Sequence, residues 1–238
     1  MTDPRPAAAS GFHARLLAET AAERARMLQA PIIGACLSGR VSRPSYLAFL
    51  QQAYHHVRHT VPLLRACRAQ VAAQPRLAWV LPALDEYIEE EQGHDEWILD
   101  DIRAAGGDAQ AARDSRPEHA AEVMVAYAYD TIARGNPLGF FGMVLVLEGT
   151  SVALALQAAD RIQAGLGLPD AAFSYLRSHG TLDQEHTRHL AMLMDAVEDP
   201  ADQADIVRAA QRFYRLYGDV FRDLPMPDAM AGAPAEAA

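Results

Sequence analysis

Residues 178–190 read SHGTLDQEHTRHL and place His179, Asp183 and His186 at spacing i, i+4 and i+7. On an α-helix these three side chains share one face over two turns, roughly 10 Å. Apolar residues occupy the same stripe or its edge: Leu176, Leu182, Leu190 and Leu193. Three ionisable groups on a core-facing stripe are costly unless something pairs with them. The pattern therefore favours a metal site, and its alternative is a hydrogen-bonded helix with surface histidines.

A second stretch, residues 86–102, reads EYIEEEQGHDEWILDDI. Within it Glu91 and His94 form a Glu-x-x-His pair, the unit that helical di-iron carboxylate sites use. Glu90, four residues before His94, is the rival ligand. The alternative is an acidic, solvated helix face, which we expect for Glu86, Glu89 and Glu96.

The third signal is Glu148, the only charged residue in the apolar run 138–159. A buried lone carboxylate is either protonated or paired with a cation. Since no basic residue lies within one helical turn, the partner must come from another helix, as a metal ion or an arginine. The run is long enough to span a bilayer, but the central Glu148, the lack of a Lys or Arg bias between its flanks and the lack of an aromatic belt favour a buried core helix.

Together these signals give three carboxylates and three imidazoles on three predicted core helices: Glu91, His94, Glu148, His179, Asp183 and His186. Mixed oxygen and nitrogen ligands without thiolates suit iron or manganese better than structural zinc. Six ligands exceed what one catalytic ion with open positions takes, so we predict two iron ions per chain, with a Mn/Fe pair as the alternative.

Further histidines are candidates for supporting roles. His55 and His59, at i and i+4 in the segment YHHVRHT, are predicted to add a ligand, hydrogen-bond the ligands or relay protons. The alternative is that they only hydrogen-bond within the core. His189 lies on the flank of the 179–186 stripe and is predicted to stand behind the ligands or in the pocket wall.

Composition narrows the class of protein. The chain has 238 residues, half of them hydrophobic, and a net charge of −10, which argues against a nucleic-acid binder. It contains no lysine, which excludes Schiff-base chemistry and a P-loop. Two cysteines give no disulfide framework, and no secretory signal is evident, so we expect a cytoplasmic protein without a membrane partner.

Apolar spacing is helical nearly throughout, which predicts a single all-α domain over residues 10–224 with disordered tails at 1–9 and 225–238. Seven helices are predicted, at 11–28, 44–73, 76–105, 117–134, 138–165, 169–197 and 201–222. Pro62 and Pro82 fall inside two of them and are expected to kink them.

The segment EEQGH, Glu148 in LEGTS, and the His-x-x-x-Asp-x-x-His spacing of 179–186 resemble, in this order, the haem-oxygenase-like di-iron oxidases and oxygenases. Residues 31–57 also resemble the opening of the related thiaminase-II and quinone-cofactor-synthesis proteins. The resemblance implies a seven-helix haem-oxygenase-like bundle, a labile di-iron site and dioxygen activation. Many members carry a further glutamate on the second helix, where this chain has histidines.

The expected activity is that of a dioxygen-dependent non-haem di-iron oxidoreductase in biosynthesis. Hydrogen abstraction, N-oxygenation and C–C cleavage all remain open. The expected partners are dioxygen, a small organic substrate and an external electron donor, because the chain shows no flavin or nicotinamide fingerprint. A homodimer is also expected.

Three other functions compete with this one. A haem oxygenase or haem binder would use His13 or His59 as axial ligand, but leaves the 179–186 stripe unexplained. A metal-free thiaminase-like hydrolase would use Cys36 or Cys67 as nucleophile. A non-catalytic helical binding module is the third.

Overall fold

The computed structural model describes residues 11–226, except for the side chains of 181–185. No β-strand occurs in this part of the chain, as an all-α fold requires. Its α-helices are α1 Phe12–Glu19, α2 Ala21–Leu28, α3 Pro31–Leu37, α4 Arg43–Val57, α5 Thr60–Ala72, α6 Leu81–Glu90, α7 His94–Ala104, α8 Ala109–Asp114, α9 His119–Arg134, α10 Phe141–Leu166, α11 Ser174–Asp195 and α12 Pro200–Arg222. Short 3-10 turns occupy Pro75–Val80, Pro137–Phe140 and Asp170–Ala172.

The described residues thus form more helical segments than the seven predicted. The segment predicted as 44–73 divides between Val57 and Thr60, and that predicted as 76–105 divides between Glu90 and His94. Pro62 lies in the first turn of α5, and Pro82 lies in the first turn of α6, which follows directly on the 3-10 turn Pro75–Val80. A proline in the first turn of a helix costs no hydrogen bond. The two prolines predicted to kink helices therefore lie at helix starts.

The C-terminal boundary of the domain differs slightly from the prediction. The predicted tail at 1–9, and the part of the predicted tail 225–238 that follows Met226, lie outside the described residues. Pro225 belongs to the described part, and its carbonyl accepts a hydrogen bond of 2.6 Å from the Ser45 hydroxyl.

α10 is the apolar helix at the centre of the bundle, where it packs along both α11 and α12. Gly142 lets α10 and α12 approach closely, because a Cβ there would lie 2.6 Å from the Ala210 backbone nitrogen.

By length and composition the segment Pro137–Leu166 could cross a membrane, but its most apolar window is 61% buried inside the molecule. That burial fits the core helix predicted from the sequence.

One hydrogen-bond cluster sets the position of α11 relative to α7. α11 begins without a side-chain cap of its own. Instead Asp101, fully buried on α7, accepts hydrogen bonds from the backbone amides of Ser174 and Tyr175, both at 2.9 Å, and from the Ser174 hydroxyl. A carboxylate at a helix N-terminus satisfies amides that have no partner within the helix.

We expect Asp101→Ala to lower the free energy of unfolding by about 2–4 kcal/mol, because it leaves two backbone amides and a hydroxyl buried without an acceptor. Urea denaturation followed by circular dichroism measures the loss. The matched control is Asp100→Ala, an exposed neighbour paired with Arg103, for which a change below about 0.5 kcal/mol is expected. Equal losses for the two variants would contradict a specific role of Asp101 as the cap of α11.

Candidate metal centre

The Glu-x-x-His motif lies in a break between two helices. α6 ends at Glu90 and α7 begins at His94, and Gly93 between them has a φ of +84°. This left-handed conformation favours glycine, which has no Cβ to clash with the following carbonyl. The two side chains therefore come together across a turn, and not along one continuous helix as the sequence predicted.

Glu91, His94 and His179 bring one ligand atom each to within 4.8 Å of one another. The His94 Nδ1 atom lies 2.9 Å from the Glu91 Oε2 atom, yet it makes no hydrogen bond of acceptable geometry. The His94 and His179 rings meet edge to face, with centroids 4.9 Å apart. Buried donor atoms that converge in this way fit a metal ion better than a hydrogen-bonded network.

The surrounding groups set the ionisation of Glu91 and the tautomer of His179. Burial opposes the ionised form of Glu91, but the His94 contact and the nearby histidines outweigh it, and the pKa of Glu91 falls below its usual value. The His179 Nδ1 atom is 3.0 Å from the Tyr175 carbonyl oxygen, which can only accept. Nδ1 thus carries the proton, and Nε2 is the nitrogen with which His179 could bind a metal ion.

A second group of candidate ligands surrounds His186. Its Nε2 atom lies 3.2 Å from Glu90 Oε2, and its Nδ1 atom lies 3.9 Å from Glu148 Oε1. Both His186 and Glu148 are buried, whereas Glu90 is partly exposed. From the sequence, Glu90 and Glu91 were alternatives for one ligand position. The structure places Glu91 beside His94 and Glu90 beside His186.

Two further residues singled out from the sequence, Asp183 and His189, also lie on α11. The side chain of Asp183 lies outside the described residues, and its backbone continues the helix between His179 and His186. His189 is exposed. The face of α11 that carries His179 and His186 is thus the one turned toward α7 and α10.

His55 and His59 make hydrogen bonds outside the cavity. The His55 Nε2 atom lies 2.8 Å from the Ser115 hydroxyl, and the His59 Nδ1 atom lies 3.1 Å from the Tyr129 hydroxyl. These contacts fit the alternative that the two histidines only hydrogen-bond within the protein. Neither lines the cavity described below, whereas the intervening His56 does. Because α4 ends at Val57, the i, i+4 spacing of His55 and His59 does not run along one helix.

A cavity of about 160 Å³ adjoins the two ligand groups, and Glu91, Glu148 and His179 form part of its wall. The remaining wall comes mainly from aliphatic and aromatic side chains of α3, α4, α10 and α12. Neither lysine nor arginine occurs among the described residues that line it. Such a pocket suits a mostly apolar ligand held beside a polar reaction centre.

The cysteines make poor nucleophiles. Burial raises the pKa of Cys36 to about 11 and that of Cys67 to about 12. Because the thiolate is the reactive form, both residues stay unreactive near neutral pH. This weighs against the thiaminase-like hydrolase considered from the sequence.

Several solved structures share this fold. A heme-oxygenase-like domain of unknown function from Shewanella denitrificans is 22% identical, with a TM-score of 0.80 over 88% of this chain and 90% of that one. A TenA homolog from Pseudomonas syringae is 14% identical, with a TM-score of 0.74 over 94% and 96%. Heme oxygenase-1 from Synechocystis, in complex with heme, is 14% identical, with a TM-score of 0.69 over 90% and 92%. The chain therefore has a haem-oxygenase-like fold.

The family follows from the sequence match. The profile of the iron-containing redox enzymes matches residues 47–218, a span that contains both ligand groups. The chain belongs to this family of iron-containing redox enzymes. No curated protein matches it significantly.

Proposed function

We propose that the chain is a non-haem di-iron oxidase or oxygenase that activates dioxygen to oxidise a small organic substrate. Hydrogen abstraction, N-oxygenation and C–C cleavage all fit such a centre. The observation that carries the proposal is the presence of two adjoining ligand groups, one around His179 and one around His186, joined by two successive residues, Glu90 and Glu91. Bound ferrous ions would supply the electrons and the open coordination sites that dioxygen reduction requires.

The residues of this chain have separate tasks in that scheme. Glu91, His94 and His179 would hold one ion, and Glu148, His186 and Glu90 the other, with Asp183 as a further ligand. Tyr175 orients His179 through its carbonyl oxygen. Trp97 stacks on the His94 ring at 4.1 Å and restricts its rotation. The apolar cavity wall would keep water away while an external donor supplies further electrons.

Anaerobic loading with ferrous iron tests the metal count. We expect about two iron ions per chain after unbound metal is removed, because the described ligands divide into two groups. Metal analysis gives the count, and Mössbauer spectroscopy reports whether the two ions are magnetically coupled. Zinc and manganese loading under the same conditions are the comparisons.

Two outcomes would contradict the proposal. One is retention of a single tightly bound zinc ion with no second site under any loading condition. The other is a Soret band at one equivalent of haem, which would favour the haem-binding alternative. His59, a candidate axial ligand for that alternative, is already engaged with Tyr129.

A further inference from the structure

His56 presents a buried hydrogen-bond acceptor to the cavity. It lies in the last turn of α4, is 2% exposed and lines the cavity wall. Its Nδ1 atom is 2.9 Å from the Gln52 carbonyl oxygen, so Nδ1 donates and Nε2 keeps a lone pair. The Nε2 atom is buried and has no hydrogen-bond partner. Buried polar atoms of this kind are rare in folded proteins and call for a partner.

His56 belongs to neither group of candidate ligands: it is absent from the cluster of Glu91, His94 and His179, and the contacts of His186 are with Glu90 and Glu148. A water molecule would need two to four polar partners, and the wall of this cavity is mostly apolar. A molecule in the cavity that carries a hydrogen-bond donor would satisfy the Nε2 atom of His56.

We infer that His56 accepts a hydrogen bond from the substrate, and that the substrate is a neutral, mostly apolar alcohol whose hydroxyl group lies near the metal centre. The inference rests on the proposed function in taking the cavity as the substrate site. An anionic head group would find no lysine or arginine among the described wall residues. A cavity of about 160 Å³ holds a molecule on the order of ten non-hydrogen atoms or fewer.

Binding of matched probes to chelator-treated protein tests this without relying on iron. 1-Octanol and heptyl methyl ether are isomers of equal size, but only the alcohol donates a hydrogen bond. Octanoate supplies an anion of similar length. By calorimetry we expect the alcohol to bind roughly tenfold more tightly than the ether, and octanoate to bind more weakly than the alcohol. Circular dichroism verifies that the treated protein remains helical.

Three variants assign the preference to His56. His56→Phe keeps the ring but lacks the acceptor, so the alcohol should lose its advantage while the ether binds as before. His56→Gln restores an acceptor and should regain part of the preference. The control His59→Phe makes the same change outside the cavity and should behave as the wild type. Each variant should load as much iron as the wild type.

The inference is overturned if the wild type binds alcohol and ether equally, if the preference survives in His56→Phe, or if octanoate binds most tightly. Loss of iron from His56→Phe would instead make His56 a metal ligand and also overturn it. Failure of the wild type to take up iron would contradict the proposed function, while the comparison of alcohol with ether would stand unaffected.

Discussion

Replacing His179 by alanine should remove at least one of the two iron ions and nearly all oxygen consumption, whereas His189→Ala should keep both ions. The two histidines lie on the same helix and differ in the face they occupy. His179 meets Glu91 and His94 within 4.8 Å, and His189 is exposed. Removing one nitrogen from a group of three described ligands leaves too few to hold an ion against water.

The same loss is expected for Asp183→Ala and His186→Ala, which share the helical stripe with His179. All four variants would be loaded identically with ferrous iron under anaerobic conditions and analysed for metal. Oxygen uptake by the reduced protein is the second measurement. Should His189→Ala empty the site while His186→Ala does not, the ligand register would be displaced by three residues and the di-iron proposal would lose its main support.

Part of the candidate site could be predicted because its residues recur at helical spacing. The i, i+4, i+7 pattern that starts at His179 requires only a helix, and α11 is one. Glu148 stood out because a lone charge in a long apolar run has few explanations, and the structure places it beside His186. In both cases a single helix determines the relevant face, so no knowledge of packing was needed.

The features that were not predicted depend on breaks between helices or on contacts between residues far apart in the sequence. Helical periodicity continues across Gly93, so no local pattern indicates that α6 ends before His94. His55 and His56 are both buried, but only His56 lines the cavity, because neighbouring residues on a helix differ by about 100° and tertiary packing decides which of them faces it. The cap that Asp101 provides for α11 joins residues 73 positions apart, and local patterns cannot reveal it.

Glu148 allows the sharpest separation of a metal site from a buried ion pair. It is 7% exposed, and its Oε1 atom lies 3.9 Å from the Nδ1 atom of His186. Tyr87 is a further neighbour of Glu148. Burial raises the pKa of Tyr87 above its usual value, and the negative charge of Glu148 raises it further. A carboxylate beside a tyrosine and a histidine stabilises a bound cation but adds little to a metal-free fold.

We therefore expect Glu148→Gln to abolish oxygen consumption and to lower the iron content to about one ion or fewer, while the metal-free protein melts at or above the wild-type temperature. Glutamine keeps the size and hydrogen-bonding reach of the side chain and removes the charge. Thermal melts with and without ferrous iron provide the measurement, because the wild type gains stability from the bound metal and the variant should gain much less. Glu89→Gln, an exposed glutamate on α6, is the control and should match the wild type throughout.

A salt bridge at Glu148 predicts the opposite pattern of stability. Removing one member of a buried ion pair strands the other charge and costs about 3–5 kcal/mol. The metal-free variant would then melt well below the wild type, with or without chelator, and iron would add as much stability to it as to the wild type. If Glu148 is a metal ligand, the substitution lowers the stability of the iron-loaded protein only. If Glu148 belongs to a structural ion pair, the substitution lowers the stability of the metal-free protein as well. The melting temperature of the metal-free protein therefore distinguishes the two roles before any substrate is known.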